Sequence, residues 1–382
     1  MRSFVLGFYG HGNVGDELLS RAAAQIMYDA LHSQVVVATV SSPVTRSVFQ
    51  DMPAASHVRF TRWPGSVSVQ NVVHPGLLRT ARRLLDSDLI VMGGGGILSD
   101  WEGSRVDRWL RVMRAARRLG KTTVLLGIGA GPFFDGKIVR TIREILNNYI
   151  DLIVVRDLTS SRYLLETVGV TGKIHILPDL VYYLQELSSW AVGARNMVVM
   201  NMVPFFQGTE LYDVYVEELA KFARWLSAST RVWLLPLHRS DALFQHRVAE
   251  LADSARITEL PLMSPIQTVR AFSAADVVIG TRFHSLVIAS MLGKLVQPIV
   301  YHHKSRDLAG RLGLQDYLVH VGDGSQWVNN LPSCCEYSER FQMLVEHRNE
   351  VLDSVRRGAL TMRHEARRYV DLIKGLVDGR VT

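Results

Sequence analysis

The stretch Asp276-Val-Val-Ile-Gly-Thr-Arg-Phe-His-Ser-Leu-Val-Ile-Ala-Ser-Met-Leu-Gly-Lys294 decides the fold. Residues 276–279 read as a buried strand, Gly280-Thr281 as a tight turn and residues 284–292 as a short helix. Arg282 and His284 fall on the handover, beside the orphan N–H groups and positive end of a helix. A guanidinium there offers a rigid fork to a phosphate or carboxylate, and an imidazole two residues on can move a proton near neutral pH. The plainer reading is an ion pair for Arg282 and a cap for His284. The rest of the chain has to decide between them.

Working outward, the same strand-to-helix handover repeats. Upstream, residues 4–9, 34–40, 88–92, 122–126, 152–155 and 173–177 read as strands, with helices at 16–31, 76–85, 104–119, 136–149 and 159–168. Such alternation predicts a parallel sheet with its site at the C-terminal strand edge. Residues 41–74, broken by Pro43, Pro53, Pro64 and Gly65, read as one or two short elements and a loop reaching over a cleft. Residues 185–195 read as a linker, after which the alternation restarts with strands at 197–203, 231–237, near 257, 276–279, 296–301 and 317–321. The prediction is an α/β protein of two Rossmann-like, doubly wound domains facing a cleft, residues 1–184 and 196–325, with a long amphipathic helix over 338–377 broken near Gly358.

Composition narrows the classes. At 382 residues the chain exceeds one ordinary core, and 48% hydrophobic with 21% charged residues describes a globular protein. No run approaches the ~18–20 apolar residues that span a bilayer, and the early Gly10-His-Gly-Asn-Val-Gly15 loop interrupts any signal peptide, so the expected location is the cytoplasm. Only two cysteines, the neighbours Cys334 and Cys335, exclude a disulfide framework and a cysteine-based zinc site. A net charge of +7 suits an acidic partner such as a phosphorylated substrate, an anionic polysaccharide or a lipid surface. The basic helices at 104–119 and 338–377 are the places where an anionic membrane could touch, although a solvated face is the plainer reading of each.

Several further motifs line the expected strand edges. The Gly10 loop fits a dinucleotide fingerprint, but the second strand ends without an acidic residue, and Asp16 and Glu17 put negative charge where a pyrophosphate would sit. Asn13 and Asp16 therefore read either as helix caps or as polar groups that hold and deprotonate a hydroxyl. Gly93, Gly94, Gly95 and Gly96, with Asp100 after them, let the backbone approach a ligand closely. Arg156-Asp157 ends another strand, either as a local pair or as a second guanidinium on the edge. His238 and Asp241 follow the strand at 231–237, and Lys304 follows the strand at 296–301 as a second positive charge for a phosphate. The adjacent pair His302-His303 is weak evidence for a metal, and none is expected.

Taken in order, these pieces resemble the polysaccharide pyruvyl transferase family: Gly12-Asn13-x-Gly15-Asp16-Glu17, Gly93-Gly-Gly-Gly-Ile-Leu-Ser-Asp100, Gly127-x-Gly129, Arg156-Asp157-x-x-Ser160, Pro178-Asp179, Arg282-Phe283-His284 and Tyr301-x-x-Lys304. The resemblance implies a fold like that of two-domain glycosyltransferases of the B type. It also implies transfer of pyruvate from phosphoenolpyruvate, a donor substrate and not a bound cofactor, onto two hydroxyls of a sugar as a ketal. By the same resemblance Arg282, Phe283, His284, Arg156 and Lys304 fall on the phosphoenolpyruvate side. Asn13, Asp16, Gly94, Gly95, Asp100 and His238 fall on the acceptor side. His284 is the expected acid and Asp16 the expected base.

Two other classes fit the same architecture. One is a glycosyltransferase with a nucleotide-sugar donor, its diphosphate held by Arg282 and Lys304. The other is a non-catalytic glycan- or membrane-surface-binding protein working through its basic helices. Nucleic-acid binding is not expected, because the arginines are spread over many helices and no recognised module is present.

Overall fold

Strands without polar alternation, such as Met197–Asn201 and Val277–Gly280, are buried along their whole length. Burial on both faces demands helices above and below, and hence parallel pairing. The computed structural model describes residues 1–52, 54–63, 75–100, 106–193, 196–322 and 331–379, and they form two sheets in which every pairing is parallel.

The first sheet belongs to β1 (Arg2–Leu6), α1 (Val14–Leu31), β2 (Gln34–Thr39), α2 (Ser42–Arg46), β3 (Val58–Arg62), α3 (Pro75–Leu85), β4 (Leu89–Leu98), α4 (Val106–Arg118), β5 (Thr122–Ala130), α5 (Gly136–Tyr149), β6 (Leu152–Val155), α6 (Leu158–Arg162) and β7 (Ile174–Ile176). Its strand order is β3-β2-β1-β4-β5-β6-β7. One face is covered by α4 and α5, whose Leu110, Met113, Ile142 and Ile145 pack on Phe4, Ile90 and Leu125. Each such side chain contributes about 1.5–3 kcal/mol by leaving water.

The second sheet follows from β8 (Met197–Asn201), α7 (Leu211–Ser227), β9 (Arg231–Leu234), α8 (Arg239–Ala252), β10 (Ile257–Glu259), α9 (Pro265–Ala274), β11 (Val277–Gly280), α10 (Phe283–Met291), β12 (Leu295–Val300), α11 (His303–Leu312) and β13 (Val319–His320). Its order, β10-β9-β8-β11-β12-β13, repeats that of the first sheet's leading six strands. In each sheet the winding reverses beside the first strand, so β1 with β4 and β8 with β11 form the topological switch points where ligands bind in such folds. By contacts the chain divides into one unit of Met1–Gly12, Asp16–Leu184 and Met362–Thr382, and another of Asn13–Gly15 and Gln185–Thr361.

The structure departs from the sequence reading in four places. The glycine run does not end β4 but lies inside it: the strand continues to Leu98 over a register shift between Gly95 and Leu98, with left-handed φ at Gly94 (71°) and Gly95 (87°). Helix α11 was not anticipated, because His-His-Lys-Ser-Arg-Asp carries little apolar periodicity. The long C-terminal helical segment comes in three lengths, α12 (Cys334–Glu346), α13 (Arg348–Ala366) and α14 (Arg368–Val377), and it breaks at His347 and Arg367 rather than at Gly358. Gly358 sits within α13, where a Cβ would lie 2.6 Å from the Arg311 carbonyl oxygen, so its role is close packing on α11. The expected linker holds a 3-10 turn, Gln185–Trp190. Residues 53 and 64–74 of the expected loop, residues 104 and 105 of the expected helix and residues 194 and 195 of the expected linker lie outside the described residues.

Candidate functional site

The C-terminal ends of β8 and β11 meet in the second unit at Asn201 and Gly280. A Cβ on Gly280 would lie 2.4 Å from Ser285 Oγ, so the turn into α10 closes only on glycine. Asn201 fixes the backbone beyond that turn: the Thr281 N–H donates to its carbonyl (3.0 Å), the Arg282 N–H to its Oδ1 (3.2 Å), and its Nδ2 to the Leu235 carbonyl (2.9 Å). Sequence reasoning passed over Asn201. Its signal was one amide ending the run Met-Val-Val-Met.

Arg282 is the N-cap residue of α10, and its guanidinium lies in a fork. Nε donates to Asp241 Oδ2 (2.6 Å), and Nη2 to Asp241 Oδ1 (2.5 Å) and Ser240 Oγ (3.2 Å). The Asp241 carboxylate is fully buried and also accepts from the N–H groups of Leu237 and His238, both at 3.1 Å. His238, expected on the acceptor side, is the N-cap of α8: its Nδ1 accepts from the Ser240 N–H at 3.2 Å. The bidentate geometry anticipated for a phosphate is thus met within the unit by a carboxylate.

His284 lies one residue inside α10, buried, with its ring edge-on to Phe283 at 5.4 Å. Its seat is Gly15, which contacts group with this unit: a Cβ there would lie 2.0 Å from His284 Nδ1 and 2.3 Å from Cγ. The loop is held by the Val14 N–H donating to the Leu237 carbonyl (3.1 Å) and by Asn13 Oδ1 accepting from the Gly15 N–H (3.0 Å). Asn13 therefore shapes the loop on which the imidazole rests.

One strand over, β12 opens into α11. His302 caps it by accepting from the Lys304 N–H (3.4 Å), and the Lys304 ammonium stands 5.9 Å from the Tyr301 ring centroid. Lys304 occupies the first turn and Arg282 the cap of the neighbouring helix, so adjacent helix starts carry cations where the macrodipole favours anions. His302 and His303 are buried with their rings 4.1 Å apart. Among the described residues no group of three or more His, Cys, Asp or Glu is arranged to hold a metal ion.

The remaining nominated residues lie in the first unit. Arg156 directly follows β6 with its side chain buried, Nη1 donating to the fully buried Asp179 (3.1 Å) and Nε 3.7 Å from Asp157. Gly129 makes room for that guanidinium: a Cβ there would lie 2.9 Å from Nη2. Asp100 accepts from the N–H groups of Phe134 (2.9 and 2.8 Å) and Asp135 (2.7 Å), so its carboxylate ties down the loop after β5. The space over Gly94 is filled by Leu19, 2.8 Å from where a Cβ would stand, whereas Gly95 lies beside Asp16 Oδ1.

Asp16 and Glu17 occupy the first turn of α1, Asp16 half-buried and Glu17 only 1% exposed. Glu17 Oε1 accepts from the Gly10 N–H at 2.7 Å. Burial outweighs that bond and pushes the Glu17 carboxyl up to about 7, a perturbation no sequence feature announced. Beside it, burial first and the charges of Asp16 and Glu17 next hold the Tyr9 hydroxyl protonated well past its ordinary range. That hydroxyl donates to the Gly93 carbonyl at 2.5 Å.

With this geometry in place, comparison with known proteins gives one family and one fold. The family described as "Polysaccharide pyruvyl transferase" matches residues 13–303. No curated protein matches the chain. Among solved structures, HepE (Alr3699) of Anabaena, crystallised with UDP and glucose, is 11% identical with a TM-score of 0.62 over 98% of each chain. A putative UDP-N-acetylglucosamine 2-epimerase of Listeria monocytogenes is 11% identical with a TM-score of 0.64, over 99% of this chain and 97% of that one. A glycosyltransferase of Rickettsia africae is 10% identical with a TM-score of 0.62 over 98% of each. At these identities the likeness is one of fold: two Rossmann-like units of the glycosyltransferase B type.

Proposed function

The chain belongs to the polysaccharide pyruvyl transferase family, and from that premise we propose that it transfers pyruvate from phosphoenolpyruvate to two hydroxyls of a sugar, with release of phosphate. The observation that carries the reading is the pair of cation-bearing helix starts, Arg282 on α10 and Lys304 on α11, with the buried imidazole of His284 between them in sequence. A multiply charged anion gains there from orphan N–H groups, two helix dipoles and an ammonium at once. Since Arg282 is forked to Asp241, donor binding asks the guanidinium to share its carboxylate partner with the incoming anion. Lys304 then supplies the charge and Arg282 the orientation.

The chemistry needs one proton delivered and two removed. His284 as imidazolium gives its proton to the methylene carbon C3 of the donor, leaving an oxocarbenium-like centre at C2. The first sugar hydroxyl attacks C2 and loses its proton to a base, a role we give to Asp16. Cleavage of the C2–O bond to phosphate regenerates the cationic centre. The second hydroxyl closes the ketal, and its proton leaves with the phosphate. Arg156, already neutralised by Asp179, holds the β6 end in place, and Asn13 and Gly15 keep the imidazole seated.

The test is incubation of the purified protein with phosphoenolpyruvate and a panel of galactosyl, mannosyl and glucosyl acceptors. Phosphate release should accompany a product heavier by one pyruvate less one water. His284→Ala should lower turnover by about 10²–10⁴-fold, as expected for loss of a general acid, in a chain that still folds cooperatively. Full activity in that variant removes His284 from the chemistry. Sugar transfer from a nucleotide-sugar in the absence of phosphoenolpyruvate replaces the reading with glycosyl transfer.

A further inference from the structure

Helix α3 turns Leu84 toward the core, but it is also held inward by polar bonds: Thr80 Oγ1 donates to the Arg62 carbonyl at 2.6 Å and lies 2.8 Å from Thr61 Oγ1, and Arg83 donates to the Phe60 carbonyl. Its outward side carries Leu78 and Leu85, 76% and 50% exposed, seven residues apart and so on one stripe. Arg82 and Arg79 lie along one side of that stripe, both exposed. The end of α4 adds Leu119, 57% exposed and preceded by the exposed Arg117 and Arg118. The two ends are tied by Lys121, whose ammonium donates to the Leu85 carbonyl at 2.6 Å.

The charge on this surface is crowded. Burial, and then the like charges of Arg79, Arg59 and Arg2, make the Arg83 guanidinium harder to keep protonated. Asp86 answers part of the excess, 3.8 Å from both Arg82 and Arg2. Isolated exposed leucines with arginines along one side match the boundary of a bilayer, where the apolar side chains enter the acyl edge and the guanidinium groups meet phosphate headgroups. A folded protein partner would be better served by a continuous apolar patch.

We propose that the outward stripe of α3, with the end of α4, docks the protein on the surface of an anionic lipid bilayer. This surface makes no use of the residues assigned to pyruvyl transfer, so the two readings stand or fall separately.

The experiment is co-sedimentation of the full chain with vesicles of phosphatidylcholine alone and of phosphatidylcholine mixed with phosphatidylglycerol. Binding to the mixed vesicles should exceed binding to the neutral ones by about tenfold or more. The double substitution Leu78→Ser with Leu85→Ser should reduce it by about tenfold, since two inserted side chains are withdrawn. The pair Arg79→Gln with Arg82→Gln should erase most of the preference for the anionic vesicles, and it serves as the second arm if the leucine variant folds poorly. Unfolding midpoints and phosphate release with a soluble acceptor should stay at their wild-type values in both. Three results overturn the proposal: a wild-type chain that stays in the supernatant, equal binding to both vesicle types, or variants that sediment like wild type.

Discussion

The two units lay down their leading six strands in the same order, but the helix starts that carry their nominated residues bear opposite charges. After β1, α1 opens with Asp16 and Glu17. After β11 and β12, α10 and α11 open with Arg282 at the cap and Lys304 in the first turn. Carboxylates at a helix N-terminus satisfy the dipole of that helix and need nothing further, whereas cations there oppose it by about 0.3–1 kcal/mol each. A cation kept against its own helix points to an anion from elsewhere. For Arg282 that anion is Asp241, and for Lys304 the proposed one is the phosphate of the donor. The first unit's acids show the converse difficulty: the dipole favours Glu17 as an anion, but burial favours it protonated, and burial wins.

The strongest way to break this comparison is to remove the carboxylate that answers Arg282. Asp241→Ala leaves a guanidinium 22% exposed facing the empty place of a fully buried partner and also strips the capping box from α8. Loss of one member of such a pair costs about 3–5 kcal/mol, read as a lower urea midpoint at unchanged slope. A loss of under about 1 kcal/mol, the scale of an exposed pair, would mean that solvent already satisfies Arg282. The helix start would then need no internal anion.

Glu17 supplies the next largest effect, and its sign is set by the direction of its shift. The carboxyl is raised from 4.5 to about 7 in the folded protein, so the folded state holds the proton more tightly than the unfolded one. That stabilisation is complete below pH 4.5 and is lost as pH rises through 7, with a total of about 3 kcal/mol. Glu17→Gln keeps an acceptor for the Gly10 N–H and cannot titrate. Wild type minus variant, measured by urea unfolding, should therefore become less favourable to wild type by about that amount between pH 4.5 and 8. A difference that stays flat across this interval would show that the dipole, not burial, governs the first turn of α1.

How far these features were legible in the sequence depends on the range of the forces behind them. The strand-to-helix handovers were legible because buried parallel strands require unbroken apolar runs, and Val277–Gly280 is one. The corner at Arg282 and His284 was legible for the same local reason. Its partners were not: Asp241 stands 41 residues from Arg282 and Asn201 stands 81 residues away, and only the pairing of β8 with β11 and β9 brings them together. The burial of Glu17 beside the half-buried Asp16 is likewise decided by tertiary packing, since both read alike as dipole-friendly acids. Glycine misled twice, inside β4 and inside α13, because the sequence shows where a Cβ is absent but not what fills the space. Here Leu19 fills it at Gly94, and the backbone of α11 approaches it at Gly358.

The smallest effect sharpens the comparison most. Lys304→Gln removes a cation from the start of α11, relieving a dipole penalty of about 0.3–1 kcal/mol, and it also removes an ammonium 5.9 Å from the Tyr301 ring, a contact worth about 0.5–1 kcal/mol. These two contributions oppose each other and nearly cancel, so neither the dipole nor the ring alone should dominate the change in stability. If the charge is kept for the donor, its removal shows in binding: KM for phosphoenolpyruvate should rise about tenfold with kcat little changed, the signature of an interaction shared by ground and transition states. Added salt should lower the wild-type affinity toward that of the variant, since a partly exposed charge is screened. A variant that loses stability while KM stays fixed would make Lys304 a structural residue. The charge at the start of α11 would then have its explanation within the protein, and the contrast between the units would be one of packing alone.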